Sequence, residues 1–308
     1  MNLNLLAREL GASVVDCSDE FFGAADALLL AAPPQRPGTY GLRGADVDGW
    51  ESRRHNPADH DWVVVRAAYP GRVDEIELET TGFRFNAPQR IGVDVADRPD
   101  GPWQEILAGA AVEPNCVNTY PVADAGRSAA FVRLRMFPDG GVARLRAYGV
   151  VDVPRSLPPA GIRLSDVRLG CRVQASEGSF GSPWAVISHA MPTSTHDGWE
   201  TPRRSSADQH FVELSWPDPV QLRALEVVAT PFRGNCAARI AIETLTGANW
   251  RETGIFDITS GATSTIEFTS PVNTRRVRVR ALPDGGFSRL WFYGDRLSLT
   301  QTRDQEQQ

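Results

Sequence analysis

Asp48-Gly49-Trp50-Glu51-Ser52-Arg53-Arg54 is written a second time in this chain, as Asp197-Gly198-Trp199-Glu200-Thr201-Pro202-Arg203-Arg204. Each copy leads to a histidine and then to an apolar, β-like run. The first run is His60-Asp61-Trp62-Val63-Val64-Val65 and the second is His210-Phe211-Val212-Glu213-Leu214. A match of this length within one chain points to two copies of one module, and a repeat of this size decides the fold. A second pair of landmarks keeps the register. Pro138-Asp139-Gly140-Gly141 runs on through Arg144 to Gly149, and Pro283-Asp284-Gly285-Gly286 runs on through Arg289 to Gly294. The offsets, 149 residues from Asp48 to Asp197 and 145 from Pro138 to Pro283, are a domain length and not a solenoid period.

The strands follow period two. Arg72–Glu79, Ile91–Val95 and Val132–Met136 alternate apolar with charged side chains in the first half. In the second half the candidates are His210–Trp216, Leu222–Val228, Ala238–Glu243 and Arg276–Arg280. Alternation of this kind buries one face and wets the other. Short strands broken by Gly, Pro, Asn and Asp predict antiparallel sandwiches, and no long helical pattern alternates with them. The expected fold class is therefore all-β, with two tandem sandwiches over residues 1–153 and 160–300. Val151–Pro159, with Pro154, Pro158 and Pro159, reads as the linker. Leu3–Leu10 reads as a short amphipathic helix stopped at Gly11, Ala12–Val15 as a first strand, Ala31–Gly44 as a loop and Arg303–Gln308 as a frayed tail.

Composition narrows the function. The chain has 308 residues, 42% of them hydrophobic, which is enough for two ordinary cores. A net charge of −6 gives no electrostatic ground for binding nucleic acid or an anionic membrane. No apolar run approaches the roughly 18 residues that span a bilayer. Met1-Asn2-Leu3-Asn4 lacks the basic start of a signal peptide, so the expected compartment is the cytoplasm. Cys17, Cys116, Cys171 and Cys236 lie far apart with no CxxC pair, and read as free thiols.

Trp50 and Trp199 fit either a core position or the wall of a ligand pocket. The arginine pairs Arg53-Arg54 and Arg203-Arg204 suit a carboxylate, because a planar guanidinium can hold one bidentately. His55, His60 and His210 are candidates for acid–base work near neutral pH, with Glu51, Asp61 and Glu200 as neighbouring carboxylates. No metal ligands are assigned: His55, His60 and Asp61 match no tight ligand spacing, and no cofactor is expected, with a divalent metal left open. The two Pro-Asp-Gly-Gly stretches are first of all turns, since Pro presets one φ and Gly tolerates φ above zero.

At these residues the chain resembles the allantoicase family, over roughly residues 5–295. That family has two tandem modules, each with a DGWE-x-x-R element and a closing PDGG-x-x-R element, and begins with a DEFF segment matched here by Asp19-Glu20-Phe21-Phe22. The resemblance implies jelly-roll sandwiches of the galactose-binding type. It implies hydrolysis of allantoate to ureidoglycolate and urea in purine (allantoin) degradation, by an allantoate amidinohydrolase that forms homo-oligomers. A further family signature, D-T-A-H-F-x-G-N, is matched in part by Glu79–Asn86, which keeps the acid and the asparagine. Val228–Asn235 keeps Phe232, Gly234 and Asn235 and loses the acid. The expected catalytic set is Glu79, His55, His60, Asp61, Glu200 and His210. The expected substrate-binding set is Trp50, Arg53, Arg54, Asn86, Trp199, Arg203, Arg204 and Asn235. The departures from the signature leave two other readings: a binding protein that has lost catalysis, and a hydrolase of a related ureido acid.

Overall fold

The structure, a computed structural model, describes residues 3–36, 38–123, 128–152, 161–206 and 209–297. It divides into two compact units, Met1–Asp152 and Val153–Gln308. Each is a jelly-roll β-sandwich.

The first unit is built on one strand, Asp61–Glu79, which serves two sheets. Its sequence is apolar from Trp62 to Tyr69 apart from Arg66 and then meets Pro70-Gly71, where proline withholds a ladder donor. Residues 61–66 pair on one side with Ala129–Phe137 and on the other with Ser13–Cys17. Ala129–Phe137 in turn pairs with Arg90–Ala96, and that strand with Gln104–Ala111. Residues 71–79 belong to the second layer, between Arg144–Val151 and Val117–Pro121. Leu3–Asn4 closes this layer by pairing with Gly149 and Tyr148. Every pairing is antiparallel.

Alternation decides which side chains meet between the layers. Val63, Val65, Ile76, Leu78, Ile91, Val93, Leu134 and Leu145 are completely buried. Each such side chain contributes about 1.5–3 kcal/mol by leaving water. The intervening charges face outward and pair there: Arg133 Nε lies 2.9 Å from Asp94 Oδ2.

The second unit repeats the plan on Val212–Val228. Pro217-Asp218-Pro219 falls in the register shift between Ser215 and Val220. Residues 212–215 pair with Arg172–Ala175 and with 276–279, and residues 220–228 pair with Arg289–Arg296 and with 263–274. Thr263–Leu282 is thus shared between layers as well. Arg239–Thr246 and Asn249–Asp257 extend the first layer, and Ile162–Arg163 pairs with Gly294 and Tyr293.

Several local expectations change. Leu3–Leu10 is not a helix: Leu3–Asn4 is a strand, and Arg8–Leu10 is a single 3-10 turn. The backbone is captured by its neighbours, since Leu5 N–H donates to Ala147 O at 2.8 Å and Ala68 N–H donates to Leu5 O at 2.8 Å. Gly11 does end the turn, with φ of 110°. The strands expected at His210–Trp216 and Leu222–Val228 are one strand, and it starts at Val212. The loop Ala31–Gly44 contributes Tyr40–Gly41 to a small hairpin with Gly44–Ala45. Val151 still belongs to a strand, whereas 153–159 of the expected linker and the tail 303–308 lie outside the described residues. All four cysteines are free thiols. Burial pushes the Cys17 thiol up to about 11, helped by the nearby carboxylates of Glu20, Asp16 and Asp19.

Candidate active site

Both ends of Asp61–Glu79 return to one edge of the first sandwich. Asp61 pairs with Met136 and Glu79 with Arg144, so the two flank the Pro138–Gly141 turn. At this edge Trp50–Glu51 adds a two-residue ladder against Gly141–Val142. Trp199–Glu200 does the same against Gly286–Phe287 in the second unit.

Trp50 and Trp199 are completely buried. Trp50 Nε1–H donates to Asp19 O at 2.7 Å, and Trp199 packs on Phe287 with ring centroids 5.3 Å apart. They are pillars under the site and not pocket walls, because neither has surface to offer a ligand. Glu51 and Glu200, one residue on, sit half-buried.

Each glutamate receives an asparagine. Asn86 Nδ2–H donates to Glu51 Oε1 at 2.7 Å, and Asn235 Nδ2–H donates to Glu200 Oε2 at 2.8 Å. The main chain fixes both asparagines, since Gly141 N–H donates to Asn86 O at 2.8 Å and Gly286 N–H donates to Asn235 O at 2.9 Å. Neither second glycine of the Pro-Asp-Gly-Gly turns could carry a Cβ, which would lie 2.2 Å from the Phe83 ring at Gly141 and 2.5 Å from the Phe232 ring at Gly286. Burial pushes the Glu51 carboxyl above its ordinary range, against the opposing pull of the Asn86 amide and the Arg54 charge.

Backbone geometry aligns the two loops residue by residue. His55 has φ of 59° and Arg204 has φ of 58°. The N–H of His55 donates to Asp139 Oδ2 at 3.3 Å, and that of Arg204 donates to Asp284 Oδ2 at 2.6 Å. Arg204 therefore occupies the place of His55, Arg203 that of Arg54, and Pro202 that of Arg53. The recurring arginine pairs are thus one residue out of step, and only Arg54 and Arg203 are equivalent. Arg53 is also committed, with its N–H and Nε–H both 2.7 Å from the Asp19 carboxylate. The carboxyl of Asp19 is held below the usual range, since these donors outweigh the upward push of burial.

The histidines do not align either. Ser18 takes up Trp62 and Ser176 takes up Phe211 in the same way, the serine N–H donating to the partner's carbonyl and the serine Oγ accepting from the partner's N–H. Asp61 accepts from Ser18 Oγ at 2.8 Å, and His210 Nδ1 lies 3.4 Å from Ser176 Oγ. Asp61 and His210 are thus equivalent, and Gln209 stands where the first unit has His60. Asp61 is completely buried and also accepts from Asn56 Nδ2 at 2.6 Å. It anchors the 53–60 loop and does not face a ligand. The His60 ring lies 5.1 Å from that of Phe137. Glu79 is half-buried at the same edge, its carbonyl accepting from Ala143 N–H at 2.8 Å.

From the sequence alone Asp139 and Asp284 read only as turn residues, and Asp19 has no role at the site. The repetition of Asp in both turns was the available signal for the first two. For Asp19 it was the DEFF segment that Asp19 opens, although its partner Arg53 lies 34 residues away.

A family profile described as the allantoicase repeat matches residues 3–152 and 162–297. A protein named probable allantoicase from Streptomyces avermitilis is 32% identical, over 97% of this chain and 86% of its own length. One of the same name from Acinetobacter baumannii is 29% identical, over 94% of this chain and 93% of its own. The crystal structure of allantoicase from Saccharomyces cerevisiae has a TM-score of 0.73 at 25% identity, covering 95% of this chain and 93% of that one.

Proposed function

The chain belongs to the allantoicase family, and on that premise we propose that it hydrolyses allantoate to ureidoglycolate and urea at the loop end of its first module. The observation that favours this most is the Glu51–Asn86 pair, with its half-buried carboxyl pushed toward the protonated form and Arg54 close enough to act on it.

The chemistry suits these groups. Allantoate is one carbon bearing a carboxylate and two ureido groups. Arg54 takes the carboxylate. The carboxamide of Asn86 keeps one N–H and its carbonyl oxygen for a ureido group. Urea leaves poorly as an anion, so Glu51 gives its proton to the departing ureido nitrogen as the C–N bond breaks. Water adds to the same carbon and forms the new C–O bond. Two bases at this edge can take the proton that water then loses, the His55 imidazole and the Glu79 carboxylate. That proton restores Glu51 for the next turnover.

This reading uses no resident metal. Among the described residues, no three or more His, Cys, Asp or Glu side chains form a group that could hold one. No helix of the described residues is long and apolar enough to cross a membrane. The family resemblance favours a cytoplasmic homo-oligomer, which light scattering on the purified chain tests directly.

The test of function is urea release from allantoate by chelator-treated protein, with ureidoglycolate as a second substrate in parallel. Turnover of allantoate at a rate unaffected by the chelator is the expected result. Thermal stabilisation by allantoate without urea release would instead indicate a binding protein. Turnover of ureidoglycolate alone would indicate a hydrolase of a related ureido acid.

A further inference from the structure

The second module keeps counterparts of Glu51, Asn86 and Arg54 and lacks counterparts of His55 and Glu79. Its Glu200–Asn235 hydrogen bond, at 2.8 Å, matches the 2.7 Å of Glu51–Asn86. The cradle beneath is the same, with Phe232 and Gly286 in place of Phe83 and Gly141. Arg203 stands where Arg54 does, and both Arg203 and Arg204 are exposed. Neither forms an ion pair among the described residues. In the first module, by contrast, Arg53 is neutralised by Asp19.

The differences all run one way. Arg204 replaces His55, and Val228 replaces Glu79. A guanidinium does not release its proton in a protein, and valine has none to exchange. Both candidate bases for the water are therefore gone. Phe85, 90% exposed, stands beside Asn86 with the Arg84 guanidinium 5.2 Å from its ring centroid. The corresponding Gly234 has nothing within 4 Å of a Cβ. The second loop end is thus more open, carries Arg204 where the first has His55, and has no counterpart of either group that takes the proton from water in the first module.

We propose that the loop end of the second module is a separate binding site for a ureido-substituted carboxylate, which it holds without hydrolysing. The carboxylate lies against Arg203 and Arg204, and the ureido group meets the Asn235 carboxamide. The chemical class of the ligand rests on the reading of the first module, whereas the presence of a second site does not depend on turnover there.

Calorimetric titration of the full chain with N-carbamoylglycine tests this. That compound has the carboxylate and one ureido group, and lacks the second ureido nitrogen on the same carbon, whose lone pair assists departure of the first. The wild type is expected to bind two molecules per chain. Asn235→Leu and the exposed Arg204→Glu are each expected to bind one, and so is the double variant Glu51→Gln/Asn86→Leu. That double variant should also release no urea from allantoate. One molecule per chain in the wild type, unchanged by Arg204→Glu, overturns the proposal. So does urea release by Glu51→Gln/Asn86→Leu at a rate near that of the wild type. Two bound molecules in a wild type that turns over no allantoate would sink the proposed function and uphold the second site.

Discussion

Gly141→Ala should impair stability and turnover together, for one steric reason. The added methyl would lie 2.2 Å from two ring atoms of Phe83, and real Cβ contacts essentially never fall below 3.0 Å, so about 0.8 Å must be found. Phe83 is 2% exposed and cannot retreat into solvent. Overpacking of this kind costs about 1–3 kcal/mol. For a unit of this size that lowers Tm by roughly 2–12 °C. Gly141 N–H also holds Asn86, and Asn86 holds Glu51. The same displacement therefore reaches the group that protonates the leaving urea. A misplacement near 1 Å can cost on the order of 100-fold, so kcat/KM for allantoate should fall about 10- to 100-fold. Scanning calorimetry and a urea-release assay on the same preparation measure both effects. Gly234→Ala is the control for stability, because open space surrounds its Cβ; it should change stability by less than about 1 kcal/mol. If Gly141→Ala keeps its Tm and its kcat/KM within about threefold, the turn does not position Asn86 and the reasoning fails.

Glu51→Gln preserves an acceptor for Asn86 and removes the proton, so kcat should fall about 10²- to 10⁴-fold. Because burial raises this carboxyl, the acid form persists to higher pH than for an ordinary glutamate, and activity is lost as pH rises through the raised value. A wild-type pH–rate profile whose alkaline limb lies at ordinary carboxylate values, about 4.3, would remove Glu51 from the role. Arg54→Ala should raise KM about 10- to 100-fold, the equivalent of a charged hydrogen bond of about 1.5–3 kcal/mol. Arg53→Ala should leave KM within about threefold. Its side chain is 57% exposed and bound to Asp19, a pair worth at most about 1 kcal/mol of stability. The reverse ranking of the two KM values would show that the carboxylate sits on the Asp19 side of the loop.

The tandem sandwiches were legible in the sequence because duplication and period-two alternation leave marks in the chain itself. Val132–Met136 shows this, with Val132 and Leu134 going inward and Arg133 and Arg135 going out to Asp94. Gln104–Ala111 and Asn249–Asp257 left no such mark. Each sits at the edge of its layer and pairs on one side only, so burial does not discipline its pattern. Leu3–Leu10 misleads because Leu6 and Leu10 are buried at helix-like spacing while its backbone bonds to strands far along the chain. The candidate site was legible as a region, with Glu51, Asn86, Arg54 and His55 at one edge. Two adjacent arginines in each copy invite a match of Arg53 with Arg203, whereas the offset of 149 residues pairs Arg54 with Arg203 and His55 with Arg204, as the positive φ that His55 and Arg204 share bears out. That shared backbone geometry was not legible in the sequence. Nor can a sequence distinguish a carboxylate that faces solvent from one like Asp61 that lies beneath a loop.

In each module the opening strand pairs against the closing one, Leu3 with Gly149 and Ile162 with Gly294. The beginning and end of a module are therefore neighbours in space, as in domains that tolerate circular permutation. A unit of this kind can be copied head to tail with only a short connector, and neither copy needs to exchange strands to be complete. Once doubled, the two loop ends are free to drift apart, because each keeps its own glycine turn and its own core. Cutting either module at an exposed turn and rejoining its natural ends should thus preserve its fold, a freedom that a sandwich with distant termini would lack.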